Sequence, residues 1–344
     1  MEKIKCLIWD LDNTLWKGVL LQDKDVVLID EACKVIKELD KRGVLQSISS
    51  KNDFATAWNK LCDFNLDKYF IYPEIHWGKK SDAVKSIAEQ INIGINTIAF
   101  IDDQEFERDE VLFAHPEVRC FAADDIYSLL NNPDFMPNYI TSDSAKRREM
   151  YQNDIQRKKN EDLFDGSSEE FLNTLQMELT ITRATESDLR RVEELTMRTH
   201  QLNSTGYIYN YDELCQLLES DNHRLYIIGL KDKYGDYGKI GIILLELQKS
   251  IWMIRLFLLS CRVVSKGIGN VVLQYIARLA FEAQCELKAE FIHNEKNRMM
   301  YLTFMLNGFT EQVDDEKTVL LYENKDVNKE FPSYIKKIVT TNIC

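Results

Sequence analysis

Short apolar runs alternate with amphipathic segments from the start of the chain to about residue 121. The apolar runs are CLIW, VLQSIS, TIAFI and VRCFAA, and segments such as EACKVIKELDKRG and SDAVKSIAEQI separate them with apolar residues at helical spacing. Runs that are apolar along their whole length suit parallel strands covered on both faces. The alternation predicts an α/β fold with a Rossmann-like, doubly wound parallel sheet, which binds ligands at the carboxyl ends of its strands.

A charged segment separates this region from a second one. Residues 141–176 are strongly charged and break at DGSS, and we predict a helical connector there between a domain of residues 1–140 and another of residues 177–335. The second region opens with the strand-like LTITRA and a helix with a capping-box pattern. Later come strand-like LYIIGL, IGIILLEL, SIWMIRLFLLS and KAEFIH, and the helix-like KGIGNVVLQYIARLAFEA. These elements predict an α+β domain with an open sheet.

Composition excludes several classes of function. The chain has 43 Lys and Arg against 56 Asp and Glu, a net charge of −13, and no long basic run for nucleic-acid phosphates. No stretch resembles a signal peptide or approaches about 18 uncharged apolar residues. The eight cysteines form no CxxC pair. We expect a cytoplasmic protein with reduced thiols that binds neither nucleic acid nor a membrane.

Two carboxylates directly follow the first apolar run, in the segment IWDLDNT. Asp10 is expected to emerge at the carboxyl end of the strand, and Asp12 to return toward the same place as the chain turns. One carboxylate can then attack phosphorus while the other exchanges a proton with the leaving group. Such chemistry requires Mg²⁺ and a cation to neutralise the developing charge.

Polar side chains follow the later strands or open the later helices. They are Ser49, Ser50, Asn52, Lys79, Lys80, Asp102 and Asp103. Each group alone has a simpler explanation, such as a turn, a solvated lysine pair or a helix start. Their order along successive strand–helix units favours one shared site.

The segments DLDNT, SISSKN, WGKKS and FIDD are similar to the four motifs of haloacid-dehalogenase-superfamily phosphatases. This resemblance implies that Asp10 is the nucleophile and Asp12 the general acid/base. It implies phosphate binding by Thr14, Ser50, Asn52 and Lys80, with Ser49 and Lys79 as alternatives to the serine and the lysine. It implies Mg²⁺ ligands from Asp10, the backbone carbonyl of Asp12, and Asp102 or Asp103. The segment WKGVLLQDKDVVLID resembles the superfamily's short flap, which leaves room for a bulky or protein-tethered substrate.

In the second region, Cys261 stands where a strand gives way to a helix. Arg262, Lys266 and the helix start predict a lowered pKa for its thiol, which suits a nucleophile for an activated acyl group. The alternative is a structural cysteine, which we expect of the other seven. Gly267 and Gly269 could receive a pyrophosphate on free N–H groups, as in acetyltransferases of the GNAT fold. Val264, however, stands where that family places Arg or Gln.

From about Lys3 to Tyr322 the chain resembles the FkbH-like family, in which a haloacid-dehalogenase phosphatase is joined to a GNAT-like half. The segments that carry this resemblance are IKCLIWDLDNTLWKGVL, FIDDQEFERDEV, RTHQLNSTGYIY, FLLSCRVVSKGIG and NEKNRMMYLTFMLNGF. Members load a glyceryl unit from 1,3-bisphosphoglycerate onto an acyl carrier protein in polyketide-type pathways and remove its remaining phosphate. The resemblance implies that Cys261 carries the acyl group as a thioester in transit to the phosphopantetheine thiol of the carrier.

Further residues are candidates for contact with the acyl group or the pantetheine arm. They are His200, Gln201, Asn203, Arg262, Gly267, Gly269 and Asn297. For His200, Gln201 and Asn203 the alternative role is to cap and satisfy backbone groups, and for Asn297 it is to end a strand. Three other functions stay open: a phosphatase with a noncatalytic second domain, a CoA-dependent acyltransferase, and a docking scaffold for a carrier protein.

Overall fold

The computed structural model describes residues 2–137, 139–314, 317–323 and 330–341. It divides the chain into two units, Met1–Asp154 and Ile155–Cys344. The division falls within the segment predicted to be a helical connector, which contains helices of both units.

The first unit alternates strands and helices as the sequence predicts. Its strands are β1 (Cys6–Trp9), β2 (Trp16–Lys17), β3 (Val27–Leu28), β4 (Leu45–Ser50), β5 (Glu74–Ile75), β6 (Ile98–Asp102) and β7 (Arg119–Ala122). Its helices are α1 (Asp30–Arg42), α2 (Phe54–Asp63), α3 (Lys80–Ile91), α4 (Glu105–Ala114), α5 (Ile126–Leu129) and α6 (Ser142–Ala145), and α7 (Arg147–Asp162) runs across the division between the units.

Five of these strands form a parallel sheet in the order β5-β4-β1-β6-β7. All four residues of β1 are buried, as expected for a strand covered on both faces. Strand β1 pairs with β4 on one side and β6 on the other. The chain therefore changes winding direction beside β1, and the carboxyl end of β1 lies at the switch point where such sheets bind ligands.

Local sequence explains the helix that follows the flap. Helix α1 begins with Asp30 and Glu31 and ends with Lys41 and Arg42, charges that complement the helix dipole at each end. Gly43 ends the helix at a φ of +74° and donates its N–H to carbonyls of the last turn. A Cβ at Gly43 would also lie 2.6 Å from the Ser144 carbonyl oxygen, so both conformation and space favour glycine.

The second unit is α+β. Its helices are α8 (Ser168–Leu175), α9 (Leu189–Arg198), α10 (Tyr211–Glu219), α11 (Ile268–Glu282) and α12 (Arg298–Leu306). Its strands are β8 (Met177–Arg183), β9 (His223–Asp232), β10 (Gly235–Leu247), β11 (Ile251–Leu259), β12 (Glu286–Phe291), β13 (Phe309–Asp314), β14 (Lys317–Tyr322) and β15 (Ile335–Thr341). The limit of 335 predicted for this domain falls at the first residue of β15.

These eight strands form one sheet in the order β13-β14-β12-β11-β10-β9-β8-β15. Only the pairs β11–β12 and β8–β15 are parallel among the described strands of this sheet. Alternate residues of β10 and β11 enter two separate cores, one with α11 and α12 and the other with α9 and α10.

The observed architecture confirms the predicted fold class, a doubly wound parallel α/β unit followed by an α+β unit. Among the described residues, no helix has both the length and the apolar character needed to cross a lipid bilayer.

Candidate active site

The carboxyl edge of the first sheet brings three predicted site residues together. Trp9 pairs with Ile101, so the residues that follow them, Asp10 and Asp102, leave adjacent strands side by side. Lys80, the first residue of α3, places its Nζ 2.5 Å from Asp10 Oδ1 and 2.6 Å from Asp102 Oδ2. All three side chains are buried, and they form a charged cluster at the switch point. Lys79, in contrast, is exposed, and Lys80 is the lysine of this pair that contacts Asp10 and Asp102.

Burial dominates the electrostatics of this cluster. It raises the pKa of the Asp10 carboxyl to about 7, where Lys80 lowers the pKa and Asp102 raises it further. Burial alone would lower the pKa of the Lys80 ammonium, but the charges of Asp10 and Asp102 outweigh it and hold that pKa above its ordinary value. One cation is therefore shared by two carboxylates, and additional positive charge would stabilise their ionised forms.

Asp103 adds a third carboxylate to the cluster. Oxygen atoms of Asp10, Asp102 and Asp103 all lie within 4.8 Å of one another. Asp102 uses its oxygens to accept from Lys80 Nζ and from the Gln104 N–H, whereas Asp103 Oδ1 is buried and has no hydrogen-bond partner among the described residues. Burial, aided by the charge of Asp102, raises the pKa of Asp103. Mg²⁺ prefers carboxylate oxygens as ligands, and one oxygen of this group is buried without a partner among the described residues. These residues therefore fit that ion.

The carboxylate of Asp12 lies against the flap rather than in the three-carboxylate cluster. Its Oδ1 accepts hydrogen bonds from Trp16 Nε1 at 2.8 Å and from the Leu20 N–H at 3.0 Å. Its Oδ2 accepts from Asn52 Nδ2 at 3.1 Å. The flap is the antiparallel pair β2–β3, and its contacts fix the orientation of the predicted acid/base.

Thr14 and Asn52 are predicted to bind phosphate, but the structure gives each another contact. The buried Thr14 hydroxyl accepts the Asp103 N–H at 3.0 Å and thereby joins the first motif to the fourth. Asn52 is buried and donates to Asp12. Ser49 and Ser50 are both buried at the end of β4, and no side-chain contact with a described residue distinguishes one from the other as the phosphate-binding serine.

Helix α4 contains supporting residues outside the four sequence motifs. Glu107 is buried and binds Lys51 Nζ at 2.6 Å, while Arg108 Nη1 donates to the carbonyls of Asp102 at 2.7 Å and Asp103 at 3.0 Å. Glu110 accepts hydrogen bonds from the backbone and the hydroxyl of Ser81. The spacing of Glu107 and Glu110 places them on one helix face, and this was the signal available in the sequence.

In the second unit, Cys261 is exposed and has a free thiol. It opens a 3₁₀ helix, Cys261–Lys266, directly after β11. Within this short helix, Arg262 Nε donates to the Ser260 hydroxyl at 3.3 Å, and Lys266 Nζ lies 5.7 Å from the centre of the Tyr237 ring. The predicted nucleophile is therefore accessible.

Asn203 and Asn297 are predicted ligand contacts, but both side chains are buried and satisfy the backbone. Asn203 Oδ1 accepts the N–H groups of Thr205 and Gly206, and Asn297 Nδ2 donates to the carbonyls of Asn203 and Ile292. Asn203 thus satisfies backbone groups, which is its alternative role, and Asn297 likewise joins two backbone segments.

The segment around Asn203 fills the space where β11 and β12 separate. These strands pair only from Ile251 to Ile254 on β11. Further along, the Ser204 N–H donates to the Phe257 carbonyl and the Leu259 N–H donates to the Leu202 carbonyl, both at 2.9 Å. Ser204 then accepts the N–H of Ile292, which follows β12. His200 and Gln201 precede this segment and are exposed.

The two glycines at the start of α11 have close neighbours. Gly267 adopts a φ of +65°, and a Cβ there would lie 2.6 Å from the Tyr334 hydroxyl. A Cβ at Gly269 would lie 2.9 Å from Thr303 Cγ2. Packing and backbone conformation thus account for both glycines, and their binding of a pyrophosphate stays a prediction.

No protein-family model matches the chain. The chain is 27% identical to human magnesium-dependent phosphatase 1 over a region that covers 29% of this chain and 68% of that protein. The N-terminal part of the protein BF1531 from Bacteroides fragilis, which contains a phosphatase domain and was solved in complex with Mg, is 26% identical, with a TM-score of 0.35 and coverage of 40% of this chain and 41% of that one. The PaiA N-acetyltransferase from Thermoplasma acidophilum, solved with coenzyme A, is 15% identical, with a TM-score of 0.35 and coverage of 42% and 99%. The chain thus spans less than half of the Bacteroides structure.

Proposed function

We propose that the first unit is a Mg²⁺-dependent phosphatase of the haloacid-dehalogenase type. The observation that carries this proposal is the cluster at the switch point of the sheet, where buried Asp10, Lys80 and Asp102 lie together with the carboxylate of Asp103. The likeness to human magnesium-dependent phosphatase 1 supports it. Asp10, Asp102 and Asp103 would hold Mg²⁺, which when bound neutralises charge on the phosphoryl oxygens.

The reaction divides between Asp10 and Asp12. A carboxylate oxygen of Asp10 attacks phosphorus, an aspartyl phosphate forms, and the bond from phosphorus to the ester oxygen breaks. Asp12 gives a proton to the departing oxygen and then takes one from the water that hydrolyses the aspartyl phosphate. Lys80 balances the charge beside Asp10, and Trp16, Leu20 and Asn52 hold Asp12 in position.

Hydrolysis of p-nitrophenyl phosphate tests this proposal. The wild type is expected to release nitrophenol with Mg²⁺ and not with EDTA, and Asp10→Asn is expected to be inactive because the amide is not a nucleophile. Asp63→Asn changes an exposed carboxylate of the same unit and is expected to retain activity. Activity in Asp10→Asn, or full activity in EDTA, would contradict the assignment.

For the second unit we propose acyl transfer through Cys261. Its thiolate attacks the carbonyl of an acyl phosphate, the carbon–oxygen bond to phosphate breaks, and a thioester forms as phosphate leaves. The phosphopantetheine thiol of a carrier protein then attacks this thioester, accepts the acyl group and releases the free thiol of Cys261. The exposed thiol supports this proposal, as does the resemblance to FkbH-like proteins, which extends it to 1,3-bisphosphoglycerate, a glyceryl-loaded acyl carrier protein and a polyketide-type pathway in the cytoplasm.

Intact-mass measurement tests the acyl transfer. Incubation with 1,3-bisphosphoglycerate is expected to add a phosphoglyceryl or glyceryl mass to the wild type and to Cys62→Ser, which removes another exposed free cysteine. Cys261→Ser is expected to form no thioester and to leave an added acyl carrier protein unmodified. Carrier loading by Cys261→Ser would overturn the role of Cys261. If the protein hydrolyses phosphate esters but neither the wild type nor any cysteine variant gains an acyl mass, the chain is restricted to phosphatase activity.

A further inference from the structure

Helix α3 begins at the site without a cap of its own. Its N-cap residue is Lys79, which is extended and makes no side-chain hydrogen bond to the first turn. The first N–H groups of a helix have no partners within the helix, so another part of the chain or the solvent must satisfy them. Lys80 is the first residue of this turn, and its position depends on how that turn is held.

Glu110 of helix α4 supplies the missing cap. Its Oε2 accepts the Ser81 N–H at 3.0 Å, and its Oε1 accepts the Ser81 hydroxyl. His115, which follows α4, places Nε2 3.1 Å from the Ser81 carbonyl oxygen. Three polar groups of Ser81 are thus bound by α4 or the residue after it. A carboxylate also suits the positive end of the α3 dipole.

The same helix holds the other side of the cluster. Helix α4 begins three residues after Asp102, and Arg108 binds the carbonyls of Asp102 and Asp103. One rigid element therefore fixes both the start of α3 and the end of β6, where Asp102 and Asp103 carry two carboxylates. This double attachment sets the separation of Lys80 from Asp102.

We propose that Glu110 is a positioning residue, which caps α3 from a neighbouring helix and so holds Lys80 against Asp10 and Asp102. Its role in the reaction rests on the proposed phosphatase function. Glu110 is not expected to touch the substrate. Its loss frees Ser81, lets the first turn of α3 fray and moves the Lys80 ammonium away from the carboxylates.

Kinetics of p-nitrophenyl phosphate hydrolysis test the consequence for activity. Glu110→Ala is expected to lower kcat about 10- to 100-fold, since small displacements of charged groups at an active site have effects of this size. Glu110→Gln keeps an acceptor oxygen and is expected to recover part of the loss. Asp109→Ala, an exposed neighbour on α4, is the matched control. In a Lys80→Ala background, Glu110→Ala is expected to have no further effect, a result that general destabilisation would not give.

Competitive labelling of amines tests the positioning itself and needs no activity. In the wild type, buried Lys80 is expected to react slowly with acetic anhydride and exposed Lys79 quickly. Glu110→Ala is expected to raise the labelling of Lys80 several-fold and leave Lys79 unchanged. Equal labelling of Lys80 in Glu110→Ala and Asp109→Ala would overturn the inference. A wild type that hydrolyses no ester would refute the proposed function, and labelling would still decide the positioning role.

Discussion

Replacing Lys80 with methionine is expected to destabilise the first unit, because it leaves two buried carboxylates without their cation. Asp10 is 6% exposed, Asp102 is fully buried, and Lys80 Nζ lies within 2.6 Å of an oxygen of each. Methionine fills much of the same volume, so the effect isolates the charge. Removing one partner of a buried ion pair costs about 3–5 kcal/mol, since the remaining charge stays in a poorly polarisable environment.

Protonation limits that cost. The pKa of Asp10 is already raised to about 7 by burial, and loss of Lys80 would raise it further, so the variant can take up a proton instead of holding two bare charges. We therefore expect the lower end, about 3 kcal/mol, above neutral pH. For a unit of this size, each kcal/mol shifts the melting temperature by about 2–4 °C, which gives a decrease of about 6–12 °C.

Thermal unfolding by circular dichroism in EDTA checks this value, and the transition of the first unit is identified as the one that Mg²⁺ raises in the wild type. Lys79→Met is the control, because Lys79 is exposed and immediately precedes Lys80. Its melting temperature is expected to stay near that of the wild type. Equal melting temperatures for the two variants would refute the claim that Lys80 neutralises buried charge.

Three further outcomes follow from the same contacts. Asp103→Asn is expected to weaken Mg²⁺ binding in calorimetry by about tenfold or more, because it removes the negative charge of the carboxylate whose Oδ1 has no other partner among the described residues. Unchanged affinity would exclude Asp103 as a ligand. Thr14→Val is expected to lower the free energy of urea unfolding by about 1–3 kcal/mol, since the Asp103 N–H loses its acceptor, while Thr14→Ser should preserve it. In EDTA, the proton on the Asp10 carboxyl is bound more tightly in the folded chain than in the unfolded one. The stability that Asp10 contributes is therefore expected to be complete below its unfolded pKa of 3.8 and to be lost as the pH rises through about 7. Asp10→Asn should remove that part of the pH dependence of urea unfolding.

The fold of the first unit could be predicted because its strands are buried on both faces. CLIW and IAFI are apolar throughout, and their burial in the sheet matches that pattern. Asp10 directly follows β1 and Asp102 ends β6, so the order of the strands is enough to predict that these two residues lie side by side. Alternate residues of β10 and β11 enter two different cores, and this too follows from the local period of a strand.

Choices between neighbouring residues depend on features that the sequence does not display. Lys80 rather than Lys79 enters the cluster because α3 starts at Lys80, and the cap that fixes this start comes from Glu110, 29 positions away from Ser81. Thr14 contacts the backbone of Asp103 across 89 positions for a similar reason. Such pairings arise from the packing of whole elements, which side-chain periodicity does not encode.

Chemical identification of a phosphorylated residue tests the central claim most directly. Asp12→Asn, incubated with Mg²⁺ and p-nitrophenyl phosphate and quenched in acid, is expected to retain a phosphoryl group, because the intermediate forms but its hydrolysis lacks the base. Tandem mass spectrometry of the tryptic peptide CLIWDLNNTLWK should place that group on Asp10. Phosphate on another residue, or continued ester hydrolysis by Asp10→Asn, would contradict the account.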